Sequence, residues 1–182
     1  MHKILPKYYY FIDAFNKEHI KELDKDIAII FRNYEKTLNI EEIINIKKFC
    51  QFTGRKFLLS NHVKTSIKLD LDGVYLPSFN KSLKINSYSK KINFIVIGSA
   101  HNLYEINTKK KQGVDAIFIA SLFNKKETYL GLKRFNILKN LTKSKIIALG
   151  GINKDNLKKL KMLNLYGFAA ISYFNSTKKN GP

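Results

Sequence analysis

Apolar residues in this chain arrive in short, nearly unbroken runs rather than alternating with polar ones. Eight such runs read as strands: 8–12, 26–31, 56–59, 73–76, 93–97, 115–120, 145–152 (KIIALGGI) and 167–174 (GFAAISYF). A strand that is apolar on both faces belongs in a parallel sheet covered on both sides. Between the runs, apolar positions recur at helical spacing. A short helix is predicted near His19 to Leu23. Asn39 caps the next, with Glu42 at the capping-box position, Ile40, Ile43, Ile44 and Phe49 on one face, and Gly54 as its stop. A short helix covers residues 63–69, and the polar stretch 78–91 reads as a loop with one weak helical turn. Asn102 with Glu105 forms a second capping box on a helix that ends at Gly113. Leu132, Phe135, Leu138 and Leu141 mark another helix. Asn153 caps the last, which carries Leu157, Leu160 and Leu163 and closes at Gly167.

Strict alternation of strand and helix implies parallel connections. Eight strands argue for a closed α/β (β/α)₈ TIM barrel forming a single domain over residues 1–182, although that fold typically takes about 250 residues. The chain ends in STKKNGP, so the last helix is expected to be reduced or missing. An open flavodoxin-like sheet is the alternative, but it leaves two or three of these strands unexplained. A missing helix would bare an apolar flank on the first and eighth strands, which a homodimer could cover.

Composition narrows the setting. A hydrophobic content of 45% is that of a globular chain. No window offers 18 uncharged apolar residues, so no membrane span is expected. Asp13 and the tyrosines interrupt any signal-like core near the N-terminus, which makes the cytoplasm the expected location. The single cysteine, Cys50, sits between Phe49 and Phe52 and reads as a helix packing residue. The net charge is +19, yet Arg32, Arg55 and Arg134 are the only arginines. A nucleic-acid reader would be expected to use arginine for bidentate contacts. The lysine excess therefore reads as a solvated surface whose field draws phosphorylated small molecules, and nucleic acid is not the expected partner.

In such a barrel the C-terminal ends of the strands carry the chemistry. They place Asp13, Arg32, Asn61, His62, Ser78, Asn80, Ser99, His101, Lys125, Lys126, Gly150, Gly151 and Ser172 around one rim. These residues are mostly cationic or neutral hydrogen-bonders, which suits phosphate and is poor in the carboxylates that hold metals. Gly150 and Gly151 end one strand and Ser172 stands near the end of the next, the usual parts of a phosphate cup. The same residues can also be read plainly: the glycines as a strand-to-helix turn, His101 as a turn histidine bonded to local backbone, His62 as a polar rim residue, the lysine pair as a solvated loop, and Arg32 as half of an ion pair.

The order of motifs resembles the thiamine-phosphate synthase family, including its thiazole tautomerase branch. Residues 56–78, KFLLSNHVKTSIKLDLDGVYLPS, resemble the family's strand with Asn-Asp, its helix and its Gly-Val-His-Leu-Gly-Gln. Residues 98–123, GSAHNLYEINTKKKQGVDAIFIASLF, resemble its Ser-Ala-His, helix, Gly-Ala-Asp-Tyr and Gly-Pro-Ile-Phe turn. Residues 147–173 resemble its Ile-Gly-Gly-Ile strand and closing Val-Ser-Ala strand, and Arg32 stands where the family has the Arg of Gln-Leu-Arg-Glu-Lys.

The resemblance implies a (β/α)₈ barrel that joins hydroxymethylpyrimidine diphosphate to thiazole phosphate and releases diphosphate with Mg²⁺ assistance. It assigns Arg32, Asn61, Ser99 and a lysine of the 123–128 loop, Lys125 or Lys126, to the diphosphate. It assigns Gly150, Gly151, Ile171 and Ser172 to the thiazole phosphate. His101, Lys126 and Arg32 are the catalytic candidates. The departures are specific. His62 and Asn80 stand in place of the two Mg²⁺-binding Asp residues, so no metal ligand is assigned. Ile30 replaces the Gln expected at the pyrimidine, Tyr34 replaces a Lys, and Asn124 replaces a Pro. The tautomerase branch also lacks strict metal carboxylates and uses a His where His101 stands as a proton shuttle. The expected functions are therefore the synthase reaction, thiazole tautomerisation, or non-catalytic binding of a phosphorylated thiazole or thiamine ligand.

Overall fold

In the computed structural model, which describes residues 3–34, 37–125 and 127–175, all eight expected strands form and pair in parallel. They are β1 (Tyr8–Ile12), β2 (Ile27–Phe31), β3 (Phe57–Ser60), β4 (Gly73–Leu76), β5 (Ile95–Ala100), β6 (Ala116–Ile119), β7 (Ile146–Leu149) and β8 (Gly167–Ala170). Each pairs with its sequence neighbour, and β8 returns to β1 with Tyr9 opposite Ala169, so the sheet is a closed barrel. The seam between first and last strands is reinforced by the Phe168 N–H on the Lys7 carbonyl (3.0 Å) and the Tyr166 hydroxyl on the Leu5 carbonyl (2.7 Å).

Because side chains alternate across a strand, every strand feeds two cores. Tyr9, Phe11, Ala28, Ile30, Leu58, Tyr75, Ile97, Phe118, Ile147 and Ala169 point inward and fill the barrel. Tyr10, Ile29, Phe31, Phe57, Leu59, Ile117, Ile119, Ile146 and Ala148 point outward against the helices. These are α1 (Lys17–Glu22), α2 (Ile40–Thr53), α3 (Val63–Lys68), α4 (Leu103–Lys111), α5 (Gly131–Asn140), α6 (Leu157–Lys161) and α7 (Ser172–Asn175). A 3₁₀ turn, Leu83–Ser87, is the helical element between β4 and β5, where one weak turn was expected. No helix among the described residues is long and apolar enough to cross a membrane.

Several local expectations need correction. On α2 the buried positions are Ile43, Ile46, Phe49 and Cys50, while Ile40 is exposed, because the helix docks one residue further round than the Ile40–Ile44 pairing implies. Cys50 is the packing residue expected, and burial pushes its thiol up to about 12. On α5 Phe135 is buried and Leu132 and Leu141 are exposed. Asn39 and Asn102 do cap their helices, but neither capping box closes reciprocally. Glu42 accepts the Phe15 N–H (3.2 Å) and Glu105 the His101 N–H (2.7 Å) instead of their own caps. The reciprocal box forms at Asn153 with Asn156, where a 3₁₀ turn leads into a short α6 ending well before Gly167.

The eighth strand stops at Ala170 rather than running to Phe174. Ser172 instead opens α7, the last helix among the described residues. Phe174 of α7 is buried, packing at 5.6 Å from the Tyr10 ring and 5.9 Å from Phe168, while the Tyr10 hydroxyl donates to Asn175 at 2.6 Å. The flank expected to be bare is thus partly covered by α7.

Candidate functional site

The floor of the barrel mouth is aromatic. Phe11, Tyr75 and Phe118 meet at ring distances of 5.1 to 5.9 Å, with Tyr9 beneath them at 5.1 Å from Phe118. Arg32 follows β2 with the inward parity of Ala28 and Ile30. Its N–H bonds the Ile12 carbonyl (2.8 Å), and its guanidinium lies 4.8 Å over the Phe11 ring. The ion pairs among the described residues are Lys3–Asp115, Lys56–Asp72 and Lys91–Asp70, and none of these involves Arg32. Arg32, Asp13 and the exposed Ile171 line one cleft of about 420 Å³.

Two hydroxyl pairs stand on this floor. The buried Tyr75 donates to Ser99 at 2.8 Å, and burial pushes the Tyr75 phenol well above its ordinary pKa. The Tyr34 and Ser60 hydroxyls meet at 2.8 Å, and Tyr34 also packs edge-on to Phe79 at 5.6 Å, so two exposed aromatics reach over the end of β3. Ser60 at the end of the third strand and Tyr75 within the fourth are not among the candidates the motifs point to. Their inward parity, shared with Leu58 and with Ser99, was the available signal.

Asn61 follows β3 in the left-handed region (φ 64°), which asparagine tolerates better than most residues. Its N–H bonds the Tyr75 carbonyl (2.7 Å), and its Oδ1 accepts from the Asn80 amide (2.7 Å). His62 opens α3 beside them, and desolvation lowers its pKa, favouring the neutral ring. Asn61, His62 and Asn80 line a second cleft of about 380 Å³. Beneath it lies Lys109 of α4, fully buried, with its ammonium on the Pro77 and Asn80 carbonyls (2.7 Å each). Lys109 stands in a run of three lysines, and its burial beside Ile106 emerges only in the folded chain.

This donor set does not fit Mg²⁺ at the place the family's carboxylates occupy. Mg²⁺ asks for hard, preferably anionic oxygen. Here the Asn80 Oδ1 already accepts the Ser82 N–H (3.0 Å), its amide nitrogen faces Asn61, and its carbonyl holds an ammonium. No three His, Cys, Asp or Glu gather among the described residues.

His101, half-buried after β5, places Nδ1 2.8 Å from the Ala120 carbonyl. A carbonyl only accepts, so Nδ1 carries a proton, and the tautomer this bond selects leaves Nε2 as the unprotonated nitrogen. The bond reaches the end of β6, 19 positions away, rather than the local backbone of a turn, and it leaves Nε2 as the nitrogen able to accept a proton. Gly150 and Gly151 both have positive φ (102° and 72°). A Cβ on Gly150 would fall 2.9 Å from the Ser121 Cα, and one on Gly151 2.5 Å from the Asn124 nitrogen. The loop after β6 lies across them, with Leu122 and Phe123 N–H groups on the Leu149 and Gly150 carbonyls (3.0 and 2.9 Å). The glycines are thus first a seat for that loop. Lys125 on the loop is exposed, and Lys126 lies outside the described residues. Ser172 is exposed at the start of α7. Among the described residues, Arg32 and Ile171 line one cleft and Asn61, His62 and Asn80 another, so the candidates do not share one cavity.

Known proteins share both pattern and fold. A sequence profile described as thiamine monophosphate synthase (TMP-TENI) matches residues 21–174. A thiamine-phosphate synthase of Prochlorococcus marinus is 31% identical over 139 residues, covering 73% of this chain but only 40% of that protein's length. One of Pelagibacter ubique is 31% identical over 170 residues, 87% of this chain and 80% of its own. The structure of a thiamine phosphate pyrophosphorylase from Pyrococcus furiosus superposes with a TM-score of 0.74 at 23% identity, covering 92% of this chain and 86% of that one, a likeness of fold.

Proposed function

The chain belongs to the thiamine monophosphate synthase family, and we propose from that premise that it couples hydroxymethylpyrimidine diphosphate to thiazole phosphate. The thiazole nitrogen bonds to the pyrimidine's methylene carbon as the bond from that carbon to the diphosphate oxygen breaks. The diphosphate leaves with the electron pair. What that step needs from a protein is preorganised donors and positive charge where the leaving oxygens gather charge.

The observation that carries the reading is the state of Arg32. A guanidinium held over Phe11 at the barrel mouth, with no carboxylate pairing it among the described residues, is a cation kept for an anionic ligand. In this reading Ser99 and Asn61 add neutral donors, and a lysine of the 123–128 loop, Lys125 or Lys126, adds positive charge to the diphosphate. Gly150, Gly151, Ile171 and Ser172 receive the thiazole phosphate by backbone and hydroxyl. No step is assigned to a metal ion.

The test is direct. Purified protein given both substrates, with and without EDTA, should form thiamine phosphate, and Arg32→Met should lower kcat/KM by about 10²–10³-fold, the scale of losing one transition-state donor. Absence of product in both conditions would sink the synthase reading.

A second reading, thiazole tautomerisation, is favoured by one feature: the Ala120 carbonyl fixes the His101 tautomer so that Nε2 can take and return a proton. Tautomerisation without coupling, lost in His101→Ala, would select it.

A further inference from the structure

The cluster behind Asn61 and Asn80 has a direction, and the direction begins at Lys109. An ammonium has three donors and no acceptor. All three are used, on the Pro77 carbonyl (2.7 Å), the Asn80 carbonyl (2.7 Å) and the Gln112 Oε1 (3.0 Å). Gln112 must therefore turn its oxygen to the lysine and its Nε2 away. That Nε2 donates to the Ser82 carbonyl (2.9 Å) and forks to the Asn80 carbonyl and Oδ1 (3.0 and 3.3 Å). The Asn80 Oδ1, which also takes the Ser82 N–H, must face that side, so its Nδ2 faces Asn61 and donates to Oδ1 at 2.7 Å. Asn61 in turn must spend its oxygen on Asn80. Its own Nδ2, on the other arm of the planar amide, is left to donate.

We propose that Lys109 is a positioning residue whose buried ammonium sets three successive amides, Gln112, Asn80 and Asn61, so that Asn61 meets a ligand as a hydrogen-bond donor. The lysine never touches the ligand. The arrangement suits an anionic oxygen and repels a cation at the same spot. The space for the lysine is built in: Gly98 lies under its stem, and a Cβ there would stand 2.6 Å from the Lys109 Cδ. That the ligand is a diphosphate rests on the functional reading above. The relay itself rests only on which atoms can donate.

The two parts separate experimentally. Asn80→Asp is nearly isosteric and keeps the acceptor that Gln112 and Ser82 require. Its second oxygen can only accept from Asn61, so it must reverse the Asn61 amide. The side-chain amide resonances of Asn61, assigned by their loss in Asn61→Ala, should shift in Asn80→Asp and in Lys109→Met. Binding of inorganic pyrophosphate in EDTA should weaken about tenfold or more in both, the loss of one charge-assisted hydrogen bond. In the Asn61→Ala background, Lys109→Met should have no further effect on pyrophosphate. If Lys109→Met does not fold, Gln112→Met breaks the same link while leaving the ammonium on its two carbonyls. Unchanged Asn61 resonances in Asn80→Asp overturn the relay. Shifted resonances in a protein that never binds pyrophosphate uphold the relay and overturn the diphosphate reading.

Discussion

Tyr75 donates its hydroxyl to Ser99 at 2.8 Å inside the barrel, with both residues buried. Ser99 accepts that bond and so keeps its own O–H for another partner. Removing the acceptor strands the Tyr75 hydroxyl. Ser99→Ala should cost about 1–3 kcal/mol of stability, the usual penalty for an unsatisfied buried donor. It should also lower pyrophosphate affinity about tenfold, if the hydroxyl is a ligand donor. Tyr75→Phe should leave that affinity within a few-fold of wild type. Urea unfolding and calorimetric titration measure both. Equal losses in the two variants would mean that Ser99 serves only Tyr75.

Gly150→Ala and Gly151→Ala meet positive φ and the backbone of the loop after β6 at once. Each should destabilise by about 1–3 kcal/mol. The first amides to lose hydrogen-exchange protection should be Leu122 and Phe123, which bond the Leu149 and Gly150 carbonyls. A simple phosphate cup with no loop seated on it would show lost affinity and unchanged exchange there.

Burial lowers Lys109 from 10.5 to about 8, so between those values the unfolded chain binds a proton that the folded chain has shed. Stability rises with pH wherever the unfolded state binds more protons. The burial penalty is complete below pH 8 and fades as pH approaches 10.5. Wild-type stability relative to Lys109→Met should therefore increase from pH 8 to pH 10, read as the difference between urea midpoints. A flat difference would mean that the folded lysine titrates as it does in the unfolded chain.

Tyr9 is fully buried and its hydroxyl has no hydrogen-bond partner among the described residues. Removing the hydroxyl keeps the ring against Phe118 and sheds a desolvated polar atom. Tyr9→Phe should stabilise the barrel by about 1 kcal/mol, a shift visible in thermal melting. A loss of stability would point to a bound water on that hydroxyl.

The barrel was legible because burial on both faces writes itself as unbroken apolar runs, and all eight runs became strands. Where the reading slipped, tertiary contacts had outbid local pattern. GFAAISYF looks like strand throughout, yet Phe174 gains more by turning back onto Tyr10 and Phe168 than by extending β8. The rim was legible in residue type and not in use. Gly150 and Gly151 read as a phosphate cup, but the Cβ side of both is taken by the chain's own 121–124 loop, so only their backbone is left to meet a ligand. Lys109 looked like one more lysine among many, since nothing in a one-dimensional pattern separates a solvated ammonium from one clasped by Pro77, Asn80 and Gln112. Tyr75 and Ser99 lie 24 positions apart, and only the pairing of β4 with β5 brings their hydroxyls together.

The seam at β1 and β8 also governs how the molecule can be made. A ribosome releases β1 first and β8 last, so one edge of Tyr8–Ile12 waits for its partner while more than 150 residues are added, roughly ten to thirty seconds at ordinary synthesis rates. Throughout that interval the nascent chain offers an unpaired, tyrosine-rich strand edge to any neighbour with a free edge of its own. Polypeptides released before Gly167 would carry that edge permanently, and their fate is aggregation or degradation rather than a smaller working barrel.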